Sequence, residues 1–246
     1  MPSASRSAAQ LVIARMSSVF PLSTAEEAAL LDLPLQLADI RADQDIVREG
    51  DRPTQCFSLS QGFTCTYKFT GEGRRQIMAF HLPGDMPDLQ SLHLPALDVS
   101  IAAITPCRIA YIQHDAVRDL CDRFPRIGSA LWRETLIDGA IFREWIVNVG
   151  RRDAPGRMAH LLCELFMRLR AVGLAEGDSI ALPFTQAVMA DALGLSTVHV
   201  NRTLQELRKA GLVSWKGETL IVRDWKGLQR EADFDPAYLH LRPDAA

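Results

Sequence analysis

No uninterrupted apolar run in this 246-residue chain approaches the ~20 residues needed to span a bilayer. Residues 1–20 also lack the apolar stretch and cleavage signal of a secretory peptide. The expected location is therefore cytoplasmic, with no membrane partner. The five cysteines, Cys56, Cys65, Cys107, Cys121 and Cys163, form no CxxC pair and no cluster. That argues against a disulfide framework and a cysteine-based zinc site, and reads them as reduced core residues. His-x-His is missing too: the chain offers Phe80-His81-Leu82-Pro83, with His93 and His114 scattered beyond it. A metal-dependent enzyme of the cupin type, which needs three or four convergent ligands on a small jelly roll, is the enzymatic alternative, and these residues argue against it. Neither a metal nor a haem site is indicated, and no catalytic residues are assigned.

A positive excess is also lacking, since the net charge is -3. The charge is unevenly placed, however. Residues 150–230 hold 12 Lys and Arg against 8 Asp and Glu, a net of +4, while the remainder carries -7. A basic module on an acidic domain suits nucleic-acid binding, because phosphate attraction is local and is screened beyond ~10 Å at 0.1 M salt. With 48% hydrophobic and 23% charged residues, the chain is balanced for a soluble globular protein of two domains.

Ser23-Thr24-Ala25-Glu26 resembles a capping box before a short helix over Thr24 to Leu33. From Asp39 the pattern turns to short β-type runs: Asp45 to Asp51, Cys56 to Gly62, Phe63 to Phe69, Arg75 to His81 and Ser100 to Ile112. They are punctuated by Gly50, Gly62, Gly71, Gly73 and Gly84. This spacing predicts an antiparallel β-roll or jelly roll. Pro125 opens a helix to Val149 whose apolar face is broad. Leu131, Ile137, Ile141 and Trp145 on it are expected to form a dimer seam, with simple packing on the β-roll as the alternative. Gly150 to Gly156, with Pro155, is expected to break that helix as a hinge. The predicted organisation is α+β: a sensor domain with N-terminal helices over 1–124, a dimerisation helix over 125–149, a hinge over 150–156, a winged helix-turn-helix over 157–230 and a tail over 231–246.

The segment from Phe184 to Val213 carries the function. A helix from the cap at Thr185 to about Leu193 buries Val188, Met189, Ala192 and Leu193. Gly194 makes the turn, and Ser196 caps a second helix to Leu207. Val200, Leu204 and Leu207 face inward, leaving Thr197, Val198, Asn201, Arg202 and Gln205 outward. Arg202 can donate a bidentate pair to guanine, Asn201 can read adenine or support a phosphate, and Val198 can meet a thymine methyl. Thr185, Gln186 and His199 border the same surface. Two β runs follow around Lys216-Gly217-Glu218, a wing whose Lys216 can reach a phosphate. A ligand-binding protein whose winged helix contacts other proteins is the alternative.

From about Phe20 to Trp225 the chain resembles the CRP/FNR (cyclic-AMP receptor/fumarate-nitrate regulator) family, most specifically in Gly194-Leu-Ser-Thr-Val-His-Val-Asn-Arg202. The resemblance implies a cyclic-nucleotide-binding-like β-roll, a long dimerisation helix and a winged helix in a bacterial homodimer. It also implies a palindromic double-stranded DNA operator, RNA polymerase as a partner and a small-molecule effector. A Glu common in the family's recognition helix falls at Val198, so the usual operator sequence does not carry over. In cyclic-nucleotide-binding members a Gly-Glu pair meets the ribose and an Arg-Ser/Thr pair meets the phosphate. Gly84-Asp85 resembles the first. The second aligns near Leu97-Asp98-Val99-Ser100, where no Arg stands. Gly84, Asp85, Asp98 and Ser100 are thus the candidate effector residues, and cyclic AMP is not the implied ligand. The iron-sulfur mode of the FNR branch lacks its N-terminal cysteine cluster here.

Overall fold

The computed structural model describes residues 2–243, with side chains from residue 4, and these form two compact units: 2–68 with 79–139, and 69–78 with 140–243. Among the described residues, no helix is long and apolar enough to cross a membrane.

The first unit opens with α1 (Pro2–Val19), whose Ala9, Val12, Met16 and Val19 form a buried stripe. Then comes α2 (Thr24–Leu31). The capping box is present: Ser23 Oγ accepts from the Glu26 amide at 3.3 Å, and Glu26 accepts from the Ser23 amide at 2.7 Å. The β-roll follows as β1 (Gln36–Ile40), β2 (Asp45–Val47), β3 (Gln55–Gln61), β4 (Thr64–Phe69), β5 (Arg75–His81), β6 (Ser100–Ala103) and β7 (Cys107–Gln113), with Phe69 of β4 and Arg75 to Met78 of β5 counted in the second unit. Two antiparallel sheets have the orders β1-β7-β3 and β2-β6-β4-β5. The expected single run from Ser100 to Ile112 is two strands in different sheets, because Ile104 to Pro106 turn the chain between them. β1 begins three residues before the expected onset of β pattern at Asp39.

β3 and β7 explain how the first unit's core is divided. Their side chains alternate across the sheet, so Phe57, Leu59 and Ile109 fill the roll interior while Cys56 and Ile112 join α1, α2 and the helices that follow. Phe57 lies opposite Tyr111, ring to ring at 6.3 Å and edge-on. α3 (His114–Arg123) and α4 (Pro125–Arg151) complete this part of the chain. The first unit takes α4 through Gly139 and the second takes the rest.

The second unit is built on α5 (Ala154–Ala171). Here the expected hinge narrows. α4 continues through Gly150 to Arg151, and only Arg152 and Asp153 lie outside a helix. Pro155 does not break a helix but opens one: in the first turn its missing N–H would have no partner anyway. Asp153 caps that turn, accepting from the Gly156 amide at 3.0 Å. After α5 come β8 (Ala175–Glu176), β9 (Ser179–Ala181), α6 (Gln186–Leu193), α7 (Thr197–Lys209), β10 (Val213–Lys216), β11 (Thr219–Val222) and α8 (Trp225–Ala232), the strands forming one sheet of order β10-β11-β9-β8.

The segment read as a tail over 231–246 packs on the second unit through residue 239. α8 is capped by Asp224, and a 3-10 turn over Pro236–Leu239 follows, burying Ala232, Phe234 and Leu239. These residues cover the polar side of α5, which explains why His160, Glu164 and Arg168 are buried along with its apolar positions. Glu164 is satisfied there by Trp145 Nε1 at 3.1 Å, Tyr238 hydroxyl at 2.8 Å and Arg168 at 3.3 Å. Residues 244–246 of the expected tail lie outside the described residues.

Candidate nucleic-acid interface

α6 and α7 pack as a helix-turn-helix whose local chemistry follows from three residues. Thr185 Oγ1 accepts from the Val188 amide at 3.2 Å, and Ser196 Oγ accepts from the His199 amide at 3.2 Å, so both hydroxyls satisfy otherwise orphaned helix-start N–H groups. Between the two caps, Gly194 adopts φ 64°, a left-handed conformation that ends α6 and costs a residue with a Cβ about 1 kcal/mol or more. Val200, Thr203 and Leu207 are buried beneath α7, and Leu204 is half-buried.

The opposite face of α7 carries the expected reading residues. Thr197, Val198, Asn201, Arg202 and Gln205 are all exposed, as are Thr185, Gln186 and Ser196, while His199 is half-buried. Val198 is 79% exposed, a large apolar side chain held in water with no burial inside the chain to account for it. Arg202 meets Glu206 at 3.8 Å with both side chains exposed, a contact too weak to fix the guanidinium. The wing is a β10–β11 hairpin with Lys216 opposite Thr219 and Gly217 at φ 56°, and Lys216 is exposed at its tip. Arg208, not singled out from sequence, donates to the Trp215 carbonyl at 2.7 Å and so ties α7 to the wing. This face offers cationic and amide donors at the spacing of one helix side, a surface suited to base edges and phosphates.

Residues 156–231 match the model of the Crp-like helix-turn-helix domain, and residues 38–124 match that of the cyclic nucleotide-binding domain. The chain belongs to the CRP/FNR family of transcriptional regulators. Members of this family are transcriptional regulators and not enzymes. The chain is similar to the transcriptional activator protein FnrL of Cereibacter sphaeroides, with 28% identity over 214 residues covering 85% of this chain and 86% of FnrL. It is also similar to the nitrogen fixation regulation protein FixK of Azorhizobium caulinodans, 28% identical over 66% of this chain and 65% of that one. Among solved structures it resembles FixK2 from Bradyrhizobium japonicum, with a TM-score of 0.72, 26% identity, and coverage of 80% of this chain and 97% of FixK2.

The four residues expected to meet an effector separate into two places. Gly84 and Asp85 adjoin a small cavity lined by α1, the loop after β5 and α4. Asp85 accepts from the Leu82 amide at 2.8 Å and from Arg15 Nε at 3.0 Å. Arg15 also meets Glu134 at 2.8 Å. Burial acts to lower the Arg15 pKa, but Glu134 and Asp85 outweigh it and hold the guanidinium above its usual value. Asp98 and Ser100 are not in that lining: Asp98 is exposed, and Ser100 Oγ accepts from the Glu49 amide at 3.1 Å. Sequence reasoning missed Arg15 and Glu134. Both lie outside the matched cyclic nucleotide-binding domain, where no motif points to them.

The cysteines are set singly, with Cys56, Cys65, Cys107 and Cys163 buried and Cys121 half-buried. Burial pushes the thiols of Cys56 and Cys163 up, away from the reactive thiolate.

The four residues expected at a dimer seam point the other way. Leu131, Ile137, Ile141 and Trp145 are buried within the chain's own fold. The exposed apolar residues of α4 are Trp132 at 69%, Leu136 at 58% and Ile146 at 69%, with Phe142 and Val147 beside them. Trp132 and Ile146 stand two heptads apart and so share one helical face. A broad apolar face had merged two surfaces, one for each side of the helix.

Proposed function

We propose that this CRP/FNR regulator acts as a homodimer that places α7 of each copy in the major groove of a palindromic operator. The exposed, weakly held Arg202 carries the reading: among its neighbours on α7 it is the side chain able to give a guanine two parallel donors. Asn201 contacts adenine or phosphate, Val198 packs on a thymine methyl, and Thr197, Ser196, Thr185, Gln186, His199 and Lys216 position the module on the backbone. The dimer forms along the outer face of α4, through Trp132, Leu136 and Ile146. Leu131, Ile137, Ile141 and Trp145 support that helix from within. RNA polymerase is the partner of the bound dimer, a reading supported by the naming of FnrL as a transcriptional activator. The protein works in the cytoplasm, where the operator is.

The supporting electrostatics are local. The +4 net charge of residues 150–230 sits on the module that meets phosphate, and the acidic remainder does not cancel it at short range. Sequencing of genomic fragments captured by the purified protein tests the reading. The expected result is an inverted repeat with half-sites about one helical turn apart; fragments without any enriched inverted repeat overturn it.

A further inference from the structure

The cavity next to Gly84 already holds a cation. Arg15, Asp85 and Glu134 are 7%, 8% and 8% exposed, and the guanidinium bridges the two carboxylates at 3.0 and 2.8 Å. Asp138 adds to the same negative field. The space left is about 20 Å³, enough for about one water molecule. α1 comes so close that a Cβ on Gly84 would lie 2.7 Å from the Leu11 carbonyl oxygen and 2.9 Å from the Arg15 Cβ. A cyclic phosphate, which needs a cationic or N–H-rich cradle, would meet carboxylates and a filled site here.

We propose that Arg15 is the resident ligand of the sensor-domain pocket: its guanidinium, held between Asp85 and Glu134, stands in place of a diffusible effector and makes this a guanidinium site. Two carboxylates on separate elements select a planar cation with divergent donors over a compact ammonium. The bridge joins α1 to α4, the helix whose later residues belong to the DNA-binding unit. Occupancy of the site thereby biases the DNA-competent population. This last step rests on the operator-binding reading above; occupancy itself does not.

Chemical rescue in the full chain tests the proposal. Arg15→Ala keeps Cβ and leaves a space shaped for ethylguanidinium. Without added cation, this variant is expected to melt earlier and to bind the operator about tenfold more weakly, within the usual range of coupling between sites. Low-millimolar ethylguanidinium is expected to restore both properties saturably in Arg15→Ala, and to do neither in the wild type or in Arg15→Ala/Asp85→Asn/Glu134→Gln. Equal restoration by ethylammonium, or no saturable restoration, overturns the proposal, and so does a saturable shift of wild-type melting by cyclic AMP. If Arg15→Ala does not fold, Arg15→Lys keeps charge and bulk but cannot bridge both carboxylates in the same way. Unchanged operator affinity and melting in that variant overturn the proposal equally. Failure of the wild type to bind any DNA would refute the operator reading alone, since melting rescue needs no DNA.

Discussion

Tyr238 donates its hydroxyl to Glu164 at 2.8 Å, joining a residue beyond the matched helix-turn-helix domain to the middle of the central helix of that domain. Glu164 is fully buried, and burial pushes its carboxyl up, opposed by Arg168 and by the hydrogen bonds from Tyr238 and Trp145. Loss of one donor to such a group costs about 1.5–3 kcal/mol. Tyr238→Phe is therefore expected to lower the unfolding free energy of the C-terminal unit by that amount, read as a lower urea midpoint at unchanged slope, without changing its helix content. An unchanged midpoint would show that the turn over Pro236–Leu239 contributes only packing.

Arg202→Ala isolates reading from folding. The side chain is exposed and its contact with Glu206 is long, so melting is expected to stay unchanged while specific binding weakens by about 1–3 kcal/mol and preference relaxes at one base pair of each half-site. Titration against the operator and against an unrelated duplex separates the two effects. A uniform loss on both duplexes would assign Arg202 to phosphate.

The two sides of α4 make opposite expectations. Leu136→Glu or Ile146→Glu is expected to yield folded monomers in sedimentation velocity, because those side chains are exposed in the single chain. Ile137→Ala is expected to cost about 2–5 kcal/mol of stability through a cavity in the chain's own core. Dimers that survive both charged substitutions would place the seam elsewhere.

His160 gives a pH dependence with a definite sign. Burial, aided by Arg152, pushes its imidazole down to about 3. The unfolded chain binds that proton near pH 6.5, by about the ordinary value for histidine. Its stabilising contribution is thus fully present above that pH and is lost as pH falls towards 3. His160→Phe keeps a ring against Phe234 and Tyr238 and removes the proton. The wild type is expected to lose melting temperature more steeply than this variant between about pH 6.5 and 5. Parallel slopes would mean that the imidazole is protonated in the folded protein.

The helix-turn-helix was legible nearly to the residue because each of its signals is local. Thr185 and Ser196 cap by bonding an amide three residues on, and Gly194 ends α6 through its own φ. What sequence hid depends on distant partners. The contacts of residues 231–243 were not legible because the surface they cover, His160, Glu164 and Arg168, is polar and lies on a helix far earlier in the chain. The α4 faces were confounded because apolar residues occupy both, and periodicity does not say which side meets the chain's own core. Arg15 had no motif at all: its meaning comes from Asp85 and Glu134, which only the fold brings to it.

The central claim is that α7 reads base edges, and Val198 allows its most direct measurement. At 79% exposure, this position can take a carboxylate without disturbing the core, and a Glu there can accept from the cytosine amino group. Binding-site selection from random duplexes is to be run in parallel on the wild type and Val198→Glu. The account predicts that the variant gains a cytosine at one symmetric position in each half-site and keeps the others. Identical base preferences for the two proteins would contradict it.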